Sequence, residues 1–420
     1  MPNINYITNL LGISGFKVVS IEITKIGFRK GVILNMERIN KNQFYCSNCG
    51  QMVSKGIPYR QRFVQHLPLW DYVTFLRFME YRVICPNCGL KVEALDWIDR
   101  YARVTTLLAN LVSELCKVMT NKAVSIFLSL HRTTVKNIDK AAIQKVHKER
   151  FLDGIKVLGI DEISVGRGHN YWHLVSALEG PRGPEMLYIG EGRKEKDLKG
   201  FWKWFGKERT SKITHVVMDM WKGFINSVKA HCPECSIIYD KFHVIRHLLE
   251  ALNKVRKQEL SRAKGRFKGL LSGKKFILLS RQSHILGKSR KALNEILRFS
   301  KKLLKAYILK ESFGHLWSYR SKSCAKRFFK AWVRDLRWSR LKPYHKFVQL
   351  IKNHLDGILS YCDKKLSLGY IEATNLKARN IIRRAYGYRD KEYMKLKIIQ
   401  GCTPWMIKFQ PWRFSFNNST

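Results

Sequence analysis

Residues 156–172 read KVLGIDEISVGRGHNYW. An apolar run, Val157-Leu158-Gly159-Ile160, ends in two acids, Asp161 and Glu162. The run has the composition of a buried strand. Acids at its end stand out in a chain with 78 Lys+Arg against 32 Asp+Glu. Further strand-like runs follow, "YWHLVSALE", "EMLYIGEG", "THVVMD" and "SIIYD", with helical patterns "EKDLKGFWKWFGKE" and "WKGFINSVKAH" between them. This alternation over residues 152–245 predicts an α/β domain with a mixed sheet. Two more of its runs also end in aspartates, Asp219 and Asp240.

On either side the pattern changes. Residues 246–365 read as almost entirely helical and very basic; residues 254–276 hold nine Lys/Arg and one acid, Glu259. In the other direction, "TTLLANLVSELCKVM" has helical spacing, while "FKVVSIEIT" and "GVILNMERI" alternate as half-buried strands do, so residues 1–100 read as short strands and turns. No repeat or low-complexity linker interrupts the chain.

At 420 residues and 45% hydrophobic, the chain is long enough for two or three domains with sizeable cores. A net charge of +46 points to a polyanion as partner, since such a field attracts phosphate over long range and gains from counterion release. A membrane is the rival, but the sequence has no apolar run long enough to span one. "MPNINYITNLLGISGF" lacks the basic start and small-residue cleavage site of a signal peptide. The expected location is therefore cytoplasmic, with thiols reduced or metal-bound rather than paired in disulfides.

Cys46-x-x-Cys49 and Cys85-x-x-Cys88 are each followed by Gly, as in knuckles whose backbone amides turn towards thiolate sulfur. Four thiolates make a closed tetrahedral site, so the pairs predict a structural Zn²⁺. The 35-residue spacer requires strands between the knuckles. The alternative is four buried free thiols. Cys232 and Cys235 form a lone pair, read as ordinary thiols at a helix-to-strand turn. Cys116, Cys324, Cys362 and Cys402 stand alone.

"TNKAVSIFLSLHRTTVKNIDKAAI", residues 120–143, fits a helix-turn-helix. Ala123, Val124 and Phe127 would face inward from a first helix, Ser129-Leu130-His131 would turn, and Thr133 or Thr134 would cap a second helix packed through Val135 and Ile138. Arg132, Thr133, Lys136 and Asn137 would then meet phosphates or base edges. An ordinary helical hairpin is the competing reading.

Asp161, Asp219 and Glu372, which opens the helical "YIEATNLKARNIIRRA", each have a bland explanation alone. Together, two strand ends and a crossing helix can gather three carboxylates at one sheet edge. Such a site suits Mg²⁺ (or Mn²⁺), which prefers hard oxygen ligands and keeps positions open for substrate phosphate. Two such ions activate a hydroxyl nucleophile and stabilise the leaving oxygen. Strand alternation turns Glu162 to the other face, as a structural acid. Asp240 remains a rival ligand near the site, and His243 either contacts DNA or simply packs.

The two cysteine pairs, the helix-turn-helix, and "GIDEIS", "VVMDMWKGF", "DKFHV" and "IEATNLKARNIIRRAYGYR" together resemble the bacterial insertion-sequence transposases of the ISL3 group over nearly the whole chain. The resemblance implies a ribonuclease-H-like core with Asp161, Asp219 and Glu372 as its DDE triad. It also implies a helical insertion in the 152 residues between Asp219 and Glu372. This chain has "LGYIEAT" where relatives often carry Ser-Asn ahead of the glutamate; Asn375 and the arginines beyond it support the match.

"RRAYGYR" also invites a tyrosine-recombinase reading through Tyr386 or Tyr388, which leaves the strand-end acids unexplained. The simpler view puts Lys377, Arg383, Arg384 and Arg389 on DNA backbone, with the tyrosines packing or stacking. Trp317, Trp332 and Trp338 in the helical region are read mostly as core.

The expected architecture is an α/β ribonuclease-H-like catalytic core with a large helical insertion, preceded by a small zinc-binding β-rich module and a helix-turn-helix. The parts are 1–100 (zinc module), 101–150 (helix-turn-helix), 151–245 (first part of the core), 246–365 (basic insertion) and 366–420 (last part of the core and tail). The expected function is recognition of terminal inverted repeats in double-stranded DNA, metal-dependent cleavage, and strand transfer into target DNA. A homo-oligomer would join the two ends, in the cytoplasm of a bacterium and associated with its nucleoid. A non-enzymatic zinc/helix-turn-helix regulator, and a structure-specific nuclease on the same core, are the alternatives.

Overall fold

Long strands, rather than the short ones expected, build the first hundred residues. A computed structural model of the chain describes residues 4–410 apart from 167, 169, 367, 368 and 386. It divides into two units: the chain up to Arg150 with the segment starting at Ile407, and Phe151–Met406.

In the first unit, helix α1 (Ile4–Leu10) precedes strands β1 (Phe16–Ile26) and β2 (Arg29–Arg38). A two-stranded ribbon follows, β3 (Phe44–Tyr45) with β4 (Met52–Val53), then β5 (Gly56–Gln65), β6 (Val73–Cys85) and β7 (Gly89–Val92). The main sheet runs β1-β2-β6-β5, with β7 paired to β6. Its buried face is apolar: Phe16, Phe78 and Trp97 meet edge-on at centroid separations of 4.8–5.6 Å. Burial of such rings contributes about 1.5–3 kcal/mol each.

Three helices follow, α2 (Thr106–Val118), α3 (Asn121–Leu128) and α4 (Arg132–Lys148), around a core of Leu108, Val112, Val124, Leu128 and Val135. Ser129 closes α3 in a left-handed conformation, φ 55°. Two expectations need correction. Phe127 is 57% exposed; Val124 is buried as expected, and Leu128 takes the second inward position in place of Phe127, because the helix is phased by this i, i+4 pair. The cap of α4 is not a threonine: His131 accepts from the Thr133 amide, so the helix starts earlier than expected. Arg29 binds the Ile126 and Phe127 carbonyls, and Gln65 binds the Leu128 carbonyl. The end of α3 is thereby tied to the sheet.

The second unit centres on a sheet of order β10-β9-β8-β11-β12. Its strands are β8 (Val157–Ser164), β9 (Tyr171–Glu179), β10 (Glu185–Glu191), β11 (His215–Met218) and β12 (Ser236–Tyr239). β8, β9 and β10 pair antiparallel, whereas β8, β11 and β12 run parallel. The helical stretch before β11 breaks at Gly206, φ 89°, into α5 (Lys199–Phe205) and α6 (Lys207–Ser211). Helix α7 (Lys222–His231) links β11 to β12, and α8 (Lys241–Arg262) leaves β12.

Seven helices continue from α8: α9 (Gly265–Leu271), α10 (Lys275–Leu279), α11 (Gly287–Phe299), α12 (Lys301–Phe313), α13 (Lys322–Leu336), α14 (Lys342–Asn353) and α15 (Leu355–Leu359). Trp317 and Trp332 are buried among them, while Trp338 is 84% exposed beneath Arg337. The chain then returns to the sheet through α16 (Gly369–Arg384) and α17 (Lys391–Cys402). Gly159 eases that return: a Cβ there would stand 2.9 Å from the end of the Ile371 side chain, which would have to shift for α16 to lie as closely on β8.

Candidate active site

The parallel register aligns the strand-end acids. Ile160 pairs with Met218, and Met218 with Tyr239. The residues one step on are Asp161, Asp219 and Asp240, so three aspartates follow one another across three adjacent strands. Each is held. Asp161 accepts from the Glu162 amide at 2.8 Å through Oδ1 and from the Asn375 side-chain amide through Oδ2. Asp219 accepts from the Met220 amide at 2.6 Å through Oδ1, and its Oδ2 lies 2.9 Å from His243 Nδ1. Asp240 caps α8 by accepting from the Phe242 amide at 2.8 Å, with Oδ2 3.8 Å from His243 Nε2.

The charges respond to this crowding. Burial raises the Asp161 pKa, against the opposing pull of the Glu162 amide, Asn375 and His243. Burial raises that of Asp240 too, and the charges of Asp161 and Glu372 add to the effect. Burial also acts upward on Asp219, but the His243 hydrogen bond and charge outweigh it and hold the carboxyl below its ordinary value. For His243, burial disfavours the cation. Its bond to Asp219 and the charges of Asp219, Asp161 and Asp240 outweigh that and lift its pKa to about 9. The imidazolium is the countercharge of the aspartate row.

Glu372 lies on α16 one turn before Asn375 and is exposed. Its charge is felt at Asp240, but it is not gathered as tightly as the aspartates. Glu162 points to Arg193, 3.0 Å away, whose guanidinium lies 4.1 Å from the Tyr171 ring centre and 4.3 Å from that of Trp221. Asn375 as a partner of Asp161, and Arg193 as the anchor of Glu162, are contacts that no local pattern signals. Lys377, Arg383, Arg384 and Arg389 are exposed, as are Arg132, Thr133 and Asn137, while Lys136 is half-buried. Tyr388 packs on Tyr393 at 5.9 Å; Tyr386 lies outside the described residues.

The thiols form the tighter cluster. Sγ atoms of Cys46, Cys49, Cys85 and Cys88 all lie within 4.8 Å of one another. Among the described residues no other group of three or more His, Cys, Asp or Glu does so. Gly50 and Gly89, at φ 73° and 69°, let the chain turn after each pair. Asn48 bridges the knuckles, its amide on Cys46 Sγ at 3.4 Å and its side chain on Cys88 Sγ at 3.3 Å. Amide donation from Asn48 and Cys49 lowers the Cys46 pKa to about 7, the direction thiolate ligation needs. Cys232 is a buried thiol bonded to the Thr210 carbonyl.

Residues 158–398 match the DDE transposase family of ISL3 elements, and residues 93–143 match the helix-turn-helix domain of transposase family ISL3. The sheet therefore belongs to a ribonuclease-H-like core of the DDE class. The chain belongs to the ISL3 family of insertion-sequence transposases, enzymes that cut and join DNA with divalent metal ions. It is 30% identical over 357 residues to the transposase for insertion sequence element IS1001 of Bordetella parapertussis, across 84% of this chain and 87% of that protein. It is 27% identical over 375 residues to the transposase for IS1557 of Mycobacterium tuberculosis, across 83% of each. These likenesses do not favour the regulator or the plain nuclease. The helix-turn-helix makes DNA a partner. Among the described residues, no helix is long and apolar enough to cross a membrane.

Proposed function

We propose that Asp161, Asp219 and Glu372 hold the catalytic Mg²⁺ (or Mn²⁺) and that the enzyme uses them to release and transfer the ends of its insertion sequence. The observation that carries this reading is the strand register, which sets Asp161 beside Asp219; the charge of Glu372 on α16, felt at the neighbouring Asp240, supports its inclusion. The donor chemistry fits a hard cation. Each oxygen of Asp161 and Asp219 accepts one hydrogen bond, and a carboxylate oxygen has a second lone pair for a metal. When bound, the ions activate the attacking hydroxyl and stabilise the leaving oxygen.

The protein's own part is positioning. Asn375 fixes the plane of the Asp161 carboxylate, and His243 fixes that of Asp219. Asp240 sets the start of α8 and lends its charge to His243. Glu372, exposed and one turn from Asn375, closes the ligand set. Lys377, Arg383, Arg384 and Arg389 hold the DNA backbone.

The four cysteines hold a structural Zn²⁺, for which four sulfurs within 4.8 Å suit tetrahedral thiolate ligation. Residues 1–100 are then a zinc module and residues 101–150 the helix-turn-helix. Together they read the terminal inverted repeats, with Arg132, Thr133, Lys136 and Asn137 of α4 towards the DNA. Residues 151–245 and 366–420 form the core and tail, and 246–365 a basic insertion. Two ends must meet, so the working form is a homo-oligomer, acting on the nucleoid in the bacterial cytoplasm.

The test is cleavage of a labelled duplex carrying the element's own terminal repeat, with Mg²⁺, by the parent and Asp219→Asn. The parent should leave free 3′-hydroxyls with no protein-linked DNA, and the variant should bind the duplex without cutting it. Equal cutting by both proteins would sink the assignment.

A further inference from the structure

Helix α8 begins at the aspartate row, and its outer face leads away from it. The inner face is conventional: Val244, Leu248, Ala251, Leu252 and Val255 are buried. On the outer face Phe242, Ile245, Arg246 and Leu249 recur at helical spacing. With Lys275 and Leu279 of α10 they line an open groove of about 270 Å³. Its walls are apolar, yet Phe242 is 57% exposed.

We propose that this groove receives an unpaired nucleobase of the DNA strand engaged at the aspartate row. The inference rests on the transposase mechanism proposed above. Three features select this occupant. The first is continuity: Phe242 directly precedes His243, their rings 6.1 Å apart, and His243 binds Asp219. A base extruded next to the cut would find the groove on the same turn of α8 that carries His243. The second is chemistry: a flat, exposed aromatic ring between aliphatic side chains matches the π-face of a base and makes no demand on its sequence.

The third is charge. Arg246 and Lys275 outnumber the groove's one acid, Glu250, which lies 3.3 Å from Arg246 and 3.5 Å from His247, so the margin is net positive through Lys275. Lys241, next to Phe242 in sequence, lies over the Trp317 ring at 5.6 Å. An apolar slot with a cationic margin suits a nucleotide, whose base is flat and whose backbone is anionic.

Extruding a base costs unstacking, which the groove would offset and a mismatch would reduce. The experiment uses the full chain and the terminal-repeat duplex with 2-aminopurine placed in turn at the bases flanking the cut. In Asp219→Asn, which holds the duplex uncut, one position should brighten on binding. Adding Phe242→Ala should return it to the level of free duplex; Phe242→Trp, whose indole would stack on the base and quench it, is read by cleavage with Asp219 intact instead and should cut within about threefold of the parent. In the otherwise unaltered enzyme, Phe242→Ala should slow cleavage of the paired duplex by about ten- to a hundredfold. A mismatch at the bright position should restore it to within about threefold of the parent.

Cleavage by the parent with no position brightening would overturn the inference and leave the transposase mechanism standing. So would loss of self-association in Phe242→Ala with cleavage unchanged, since the occupant would then be a second copy. A parent that cuts no end duplex would instead strike the mechanism beneath it.

Discussion

The thiol cluster and the aspartate row are assembled in opposite ways. Each half of the thiol cluster is a single turn, Cys46 to Gly50 or Cys85 to Gly89, and the turn alone aims its two sulfurs. The sheet has only to bring two finished knuckles together. In the aspartate row no element supplies more than one acid: Asp161, Asp219 and Asp240 come from three strands, and their neighbourhood is created by register. Like charges placed that way repel, and His243 answers them from a fourth direction. A site made of turns is tied to the folding of its own unit, whereas a site made of register can lose one group and keep its shape.

The largest effect should therefore follow from breaking a knuckle. Cys85 is buried at the end of β6, the central strand of the first unit's sheet. Structural zinc contributes on the order of 10 kcal/mol to folding in small domains. Cys85→Ser should abolish bound zinc, measured by elemental analysis, and with it specific binding of the terminal repeat. The melting transition of the catalytic unit should stay in place. Retained zinc and tight end binding in this variant would remove the thiols from the ligand role. Asp219→Asn should do the reverse, keeping both zinc and end binding while cleavage is lost.

The same contrast explains what could be read in the sequence. The cysteine pairs are local, and spacing alone carries them. Asp161 and Asp219 are legible as acids that terminate apolar runs, because a strand end is also local. Asn375, 214 residues from Asp161 in sequence, is not; nothing about an asparagine in mid-helix shows which carboxylate it will meet. Arg193 gives no signal for the same reason, since its place between Tyr171 and Trp221 depends on three separate segments of the chain. The misjudged phase of Phe127 has another cause: α3 has only eight residues, too few for its periodicity to choose between adjacent faces.

Asn375 sharpens the comparison at intermediate scale. If register builds the row and Asn375 only fixes one carboxylate plane, Asn375→Ala should leave fold, zinc and end binding unchanged. It should lower the cleavage rate by about 10- to 100-fold, the usual cost of removing an outer partner of a metal ligand. A weaker metal requirement, seen as a higher Mg²⁺ concentration for half-maximal rate, should accompany it. Unchanged rates across the Mg²⁺ series would show that Asp161 needs no such support.

The smallest effect concerns a histidine in the other unit. His243 is half-buried among acids and pushed up, whereas His66 is buried without them. Its Nδ1 meets the Thr105 hydroxyl at 2.9 Å. Burial lowers its pKa to about 4, with only the Leu11 backbone acting in the other direction. The folded form thus holds a neutral imidazole, and the unfolded chain takes up a proton first as pH falls below about 6.5. Stability is fully present above that value and is lost as pH falls towards 4, by on the order of 3 kcal/mol. Zinc release on acidification would blur this in the parent alone, but it is common to the parent and His66→Gln, so their difference isolates the imidazole. Denaturant melts of both proteins between pH 7 and pH 4 should show the parent losing stability relative to the variant across that window. A difference independent of pH would mean that His66 is not the group that takes up the proton.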